Sequence, residues 1–67
     1  MQIILNNKTE GFTQDSMSVS QLLKIKNFTF KMLIVKVNDK LVKKEDYDGT
    51  IITDSDVVAV IHLISGG

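Results

Sequence analysis

Only one stretch of this chain carries a helical pattern, and β-type runs lie on both sides of it. In "MSVSQLLKIKN" (17–27), Val19, Leu22 and Leu23 form one apolar face at i, i+3, i+4 spacing. Ser18 stands just before that face and Gln21 three residues on, the signature of a capping box. Met17 and Leu22 fall at the positions that staple such a cap. Lys24 and Lys26 lie late, where positive charge suits the helix dipole, and Asn27 tolerates the left-handed backbone that ends a helix. A helix this short is marginal in water and needs a sheet to pack on.

The flanking segments supply one. "QIILN" (2–6) is aliphatic and β-branched, and Asn6-Asn7 offers a tight turn. "TEGFT" (9–13) reads as the return strand, best placed at an edge because Gly11 interrupts it. "MLIVKVN" (32–38) is a strong strand followed by a turn at Asp39-Lys40. Residues 40–48 read as a short strand and an irregular turn, and Gly49 punctuates them. Asp54-Ser55-Asp56 is a further turn before the last strand, "VVAVIHLI" (57–64). The order β-β-α-β-(β)-β predicts an α+β fold: one mixed sheet of four to five strands with the helix across one face. The first and last strands would run parallel in its middle, which fits their apolar content.

Composition narrows the function. The chain has 67 residues, and a domain of that size buries only about 60% of the surface its unfolded chain exposes. A core and a catalytic cleft do not both fit, so binding or carrying is favoured over catalysis. There is no cysteine, hence no disulfide, thiolate metal site or thiol nucleophile, and one histidine cannot form a metal cluster. Eight lysines balance eight acids and no arginine is present. Nucleic-acid binders usually carry a basic surplus, so that partner is not expected. No apolar run reaches the ~18 residues of a membrane span, and "MQIILNNKTE" does not resemble a secretory signal. The expected location is the cytoplasm, with no membrane contact.

Alternation along 57–64 puts Val58, Val60, His62 and Ile64 on one side and Val57, Ala59, Ile61 and Leu63 on the other. If Val35 and Val37 point inward, Ile34 and Lys36 point outward. Only one side can meet the helix. The other side either forms an exposed apolar patch, the usual mark of an interaction site, or packs under 40–54. His62 reads as a strand histidine, with a partner contact as the alternative. Tyr47 reads as a core-edge aromatic, and Phe12, Phe28 and Phe30 as core or rim. Asp54 and Asp56 read as turn-formers rather than a metal pair. The chain stops on Gly66-Gly67; at roughly 7% glycine per position, chance gives such an ending in about 0.5% of chains.

Taken in order, several of these segments resemble the ThiS family of sulfur carriers. They are a first strand ending in Asn6, "SVSQLL" (18–23), "VKVND" (35–39) leading to "LV" (41–42), Tyr47, Asp56 and "VAVIHLISGG" (58–67). The chain departs from the family pattern in four places. Pro-Arg is common where Lys43-Lys44 stand, Gly where Ser55 and Ser65 stand, and an acidic residue at Ala59. The resemblance implies a β-grasp (ubiquitin-like) domain over 1–67 with a flexible tail at 64–67. It implies a carrier rather than an enzyme, with no catalytic residue, metal or bound cofactor of its own. A ThiF-like adenylating enzyme would use ATP to activate the Gly67 carboxylate. Sulfur from a persulfide donor protein would then displace AMP to leave a thiocarboxylate. A ThiG-like thiazole synthase would consume that sulfur in thiamine biosynthesis. Ile64, Ser65 and Gly66 would thread the partner's active site, where glycine presents a thin backbone. Ile34, Lys36, Ala59, Ile61 and Leu63 would face the activating enzyme, with Val58 and Val60 in the core. The alternatives are a sulfur carrier for molybdopterin synthesis, a ubiquitin-like protein modifier and a non-covalent binding module.

Overall fold

The computed structural model describes residues 1–29 and 32–63. In chain order the elements are β1 (Gln2–Leu5), β2 (Lys8–Gly11), β3 (Ser16–Ser18), α1 (Val19–Ile25), β4 (Leu33–Val37) and β5 (Lys40–Val42). A 3₁₀ turn (Lys44–Asp46), β6 (Ile51–Thr53) and β7 (Val57–His62) complete them. The main sheet runs β2-β1-β7-β4-β5. β1 and β7 are parallel at its centre, and all other neighbours in it are antiparallel. The expected α+β arrangement, with first and last strands parallel in the middle and the return strand at an edge, is the one observed.

Two hairpins frame the sheet, each closed by two residues in left-handed backbone: Asn6 and Asn7 (φ 50° and 68°), and Asn38 and Asp39 (φ 50° and 71°). A two-residue loop needs positive φ at both positions, which Asn and Asp tolerate better than other side chains. This corrects two boundaries. β2 begins at Lys8, directly opposite Leu5, and ends at Gly11. The second turn is Asn38-Asp39, not Asp39-Lys40, because Lys40 already pairs with Val37 as the first residue of β5.

A second sheet, unexpected from the sequence, joins β3 to β6 antiparallel, with Met17 opposite Ile52. Both side chains are buried. The helix starts at Val19, directly after the Ser18 cap read from the sequence, and Met17 and Ser18 belong to β3. Its cap is as read: Ser18 Oγ accepts from Gln21 N–H at 3.1 Å, and Gln21 Oε1 accepts from Ser18 N–H at 2.8 Å. Val19 and Ser20 donate their N–H groups to the carbonyls of Thr50 and Tyr47 (2.9 and 3.1 Å), so the first turn's otherwise unpaired donors are satisfied. At the other end Asn27 is left-handed (φ 59°). Phe28 N–H reaches Leu23 O at 2.8 Å and Asn27 N–H reaches Lys24 O at 3.1 Å, a Schellman closure. Lys26 then ties the helix end to edge strand β2 through Glu10, Nζ to Oε2 2.6 Å.

Helix residues Val19, Leu22 and Leu23 pack with Ile3, Leu5, Val35, Val42, Val58 and Val60 from the main sheet and with Met17 and Ile52 from the second. Phe12, Phe28 and Tyr47 are partly buried at the margin of this core; Phe30 lies outside the described residues. The Asp54–Asp56 loop is a fastening. Gln2 N–H donates to Asp54 Oδ1 and Ser55 N–H to Gln2 O, both at 2.7 Å. Asp56 accepts from Thr53 N–H (2.8 Å) and from Asn38 Nδ2 (3.0 Å), while Asn38 Oδ1 accepts from Val57 N–H (2.9 Å). Among the described residues, no cluster of three or more His, Cys, Asp or Glu is placed to hold a metal ion.

Candidate docking face and C-terminal strand

Because α1 covers one face of the main sheet, the other is open. Register fixes which residues occupy it. Ile34 stands opposite Ile61, and Lys36 opposite Ala59. Lys36 is also opposite Leu41 on the far side, and Ile4 is level with Val57 across the parallel pair. Paired residues share a face, so these side chains form one surface crossing four strands. Val57 and Ile61 are 47% and 45% exposed, whereas their inward neighbours Val58 and Val60 are 1% and 8% exposed. Ile4, Leu41 and Leu63 are also exposed; Ile34 and Ala59 are half-buried and Lys36 is exposed. The outer stripe of the last strand therefore does not pack under 40–54.

Four of the five residues singled out from the sequence for this face, Ile34, Lys36, Ala59 and Ile61, are brought together by direct cross-strand pairing. Leu63 follows beyond the strand end and donates its N–H to Met32 O at 3.0 Å. Ile4, Val57 and Leu41 were missed. Val57 was legible as a member of the stripe, but Ile4 and Leu41 join it only through long-range register. His62, opposite Leu33, is exposed. Ile64, Ser65, Gly66 and Gly67 lie outside the described residues.

The strand leading to the tail is held on both sides. β4 pairs with it from Val58 to His62. β1 pairs with it only at Val57 and Val58. Asn6 continues that second edge: its N–H donates to Val58 O at 2.9 Å and its Oδ1 accepts from Val60 N–H at 2.8 Å. The face offers apolar area and one cation, Lys36. Contiguous apolar surface of this kind on a small domain marks an interaction site.

A five-stranded mixed sheet with parallel central strands and one helix laid across it is the β-grasp, or ubiquitin-like, fold. Within that fold the chain belongs to the ThiS family, whose model matches residues 3–67. Over 63 residues it is 30% identical to the sulfur carrier protein ThiS of Bacillus subtilis (strain 168), covering 94% of this chain and 96% of that one. The crystal structure of the thiamine biosynthesis protein ThiS from Geobacter metallireducens matches with a TM-score of 0.89 at 25% identity, over 100% of both chains. An NMR solution structure of a thiamine biosynthesis protein from the same organism matches at TM-score 0.83 and 25% identity, over 100% of this chain and 88% of that one. Among the described residues, no helix is long and apolar enough to cross a membrane.

Proposed function

We propose that this chain is a sulfur carrier of thiamine biosynthesis whose reactive group is the C-terminal carboxylate of Gly67. The observation that carries the reading is the family match, which runs through the Gly66-Gly67 ending and leaves no part of the fold after residue 3 unmatched. The chain supplies the handle and the acyl group; partners supply the chemistry. A ThiF-like enzyme binds the open face through Ile34, Ala59, Ile61 and Leu63, with Lys36, between Ala59 and Leu41, as its one cation. Ile64, Ser65 and Gly66 lead the carboxylate into the enzyme's active site, where a glycine backbone avoids clashes that any Cβ would bring.

A carboxylate is a poor electrophile, so activation comes first. A carboxylate oxygen of Gly67 attacks the α-phosphorus of ATP and pyrophosphate leaves, forming an acyl-adenylate. The terminal sulfur of a donor persulfide attacks the acyl carbon and AMP leaves. A second thiol then cleaves the S–S bond, which yields the thiocarboxylate and a disulfide. A ThiG-like thiazole synthase takes the sulfur and returns the carboxylate.

The test is the intact mass of the protein after incubation with its adenylating partner, ATP and a persulfide source. The expected result is a gain equal to replacing one oxygen by sulfur, mapped to Gly67 and absent from a chain lacking that residue. An unchanged mass with the partner bound, or isopeptide conjugates to lysines of other proteins, overturns the carrier reading.

A further inference from the structure

A groove of about 630 Å³ opens at the β4 edge of the main sheet, where β5 ends. β5 pairs with β4 over Val35–Val37 only. Lys43 continues extended (φ −75°, ψ 153°), but Lys44 turns into the 3₁₀ turn and leaves the sheet. Leu33 and Ile34 thus have β7 on one side and, among the described strands, none on the other. The groove fills that gap. Met32, Leu33, Ile34 and Leu41 give it apolar walls, and Leu63 lines it where the tail departs. Among the described residues, its charged lining residues are Lys43 and Lys44, both exposed. Among the described residues, neither lysine is in an ion pair with a carboxylate. Ile34 and Leu41 belong to the groove and to the open face alike, which makes the two one continuous surface.

We infer that this groove takes a short, extended, acidic segment of the protein that docks on the open face, laid beside Leu33–Ile34 with its carboxylates against Lys43 and Lys44. The inference rests on the docking role given to the open face above. Strand addition to an uncovered edge obtains affinity from main-chain hydrogen bonds and selectivity from flanking pockets. The uncovered length is two residues, roughly 7 Å at 3.3–3.4 Å per residue, so the added segment is an anchor at the rim of a larger interface. The volume also lies in the range of small-molecule sites, about 300–1,000 Å³. Such sites carry a few convergent polar groups within an enclosed pocket, whereas here the two cations are exposed at the surface.

The test measures binding of the ThiF-like adenylating enzyme to the wild type, to K43E/K44E and to Ile61→Asp, across a salt series. K43E/K44E is expected to bind about tenfold more weakly at low salt, chiefly through slower association. The deficit should shrink at high salt, where the Debye length falls to about 3 Å at 1 M. In the wild-type complex the amide of Leu33, which alternates with the β7-facing Met32 and Ile34 and so faces the uncovered edge, should gain protection from hydrogen exchange. Glutamate at the start of a 3₁₀ turn suits the local dipole, and Lys43→Glu alone serves as a second variant should the double one melt early. Wild-type binding by K43E/K44E while Ile61→Asp is weakened overturns this inference and leaves the docking face standing. Wild-type binding by both variants overturns the docking face as well. A deficit that salt does not alter, with no added protection at Leu33, also overturns the strand-like acidic occupant.

Discussion

The side-chain oxygen of Asn6 accepts a hydrogen bond from the backbone N–H of Val60 at 2.8 Å, across 54 positions of sequence. The same residue turns the first hairpin with a φ of 50°. One asparagine therefore closes a turn and holds the strand that leads to the tail, beyond the point where β1 has ended. Asn6→Ala loses both roles. Alanine lacks the polar side chain that eases left-handed backbone, so up to roughly 1–2 kcal/mol is lost there, and the unpaired, partly buried Val60 N–H costs about 1–3 kcal/mol. We expect a total of about 1–5 kcal/mol in urea denaturation. Asn6→Gly keeps the turn and should lose roughly 1 kcal/mol less. Equal losses in the two variants would show that the turn contributes nothing.

Ile52 and its neighbour Ile51 make a second pair of opposites. Ile52 is fully buried against the helix, and Ile51 is 53% exposed. Ile52→Ala should cost about 2–5 kcal/mol. A chain of this length holds only about 3–10 kcal/mol in all, at 0.05–0.15 kcal/mol per residue, so a large unfolded fraction is expected near body temperature. Ile51→Ala should stay within about 0.5 kcal/mol. Thermal melts followed by far-ultraviolet circular dichroism compare the two; similar midpoints would mean that the β3–β6 sheet adds little to the core.

That second sheet also marks where the sequence stops being readable. Val58 and Val60 alternate with Val57, Ala59 and Ile61 over six residues, long enough for the period to show. Ser18 and Gln21 sit three apart and satisfy each other locally, so the cap was legible too. β3 and β6 have three residues each, with Met17 and Ile52 as their single fully buried side chains, and one apolar residue has no period. The one-residue shift at Asn38 has a local cause: alternation in "VKVN" continues to the turn, and only the need for positive φ at two successive residues separates strand from loop. The place of Ile4 and Leu41 on the open face is not local at all. It follows from which strands become neighbours, which no short window contains.

Asp54 gives the fold a dependence on acid. The Gln2 N–H, donated to Oδ1 at 2.7 Å, holds its carboxyl below the ordinary value of 3.8, helped by the Ser55 hydroxyl and the N-terminal ammonium. A carboxylate whose folded-state pKa is depressed stabilises the fold fully above its unfolded pKa. That contribution disappears as pH falls below about 3.8 through the lower folded-state value. Melting temperatures of the wild type and Asp54→Asn should therefore differ most at neutral pH and converge at strongly acidic pH. A constant gap across the series would mean that the carboxylate's charge is immaterial and only the acceptor atom matters.

Ile61 and Val60 separate docking from stability most sharply, being adjacent in sequence and opposite in direction. Val60 is in the core, and Ile61 lies on the open face directly opposite Ile34. An aspartate at position 60 leaves a charge among apolar side chains and should prevent folding. At position 61 it meets water in the free protein, and the change in stability should not exceed about 1 kcal/mol, the span of strand propensities. Within a docked complex the same carboxylate would be desolvated at the centre of an apolar contact. Such positions cost about 2 kcal/mol or more on truncation, so binding to the adenylating enzyme should weaken roughly 30-fold or more. Calorimetric titration beside a thermal melt reads both quantities. If Ile61→Asp unfolds as Val60→Asp does, the outer stripe has been assigned to the wrong side of the sheet. If it folds and binds unchanged, the partner reaches the tail without touching this face.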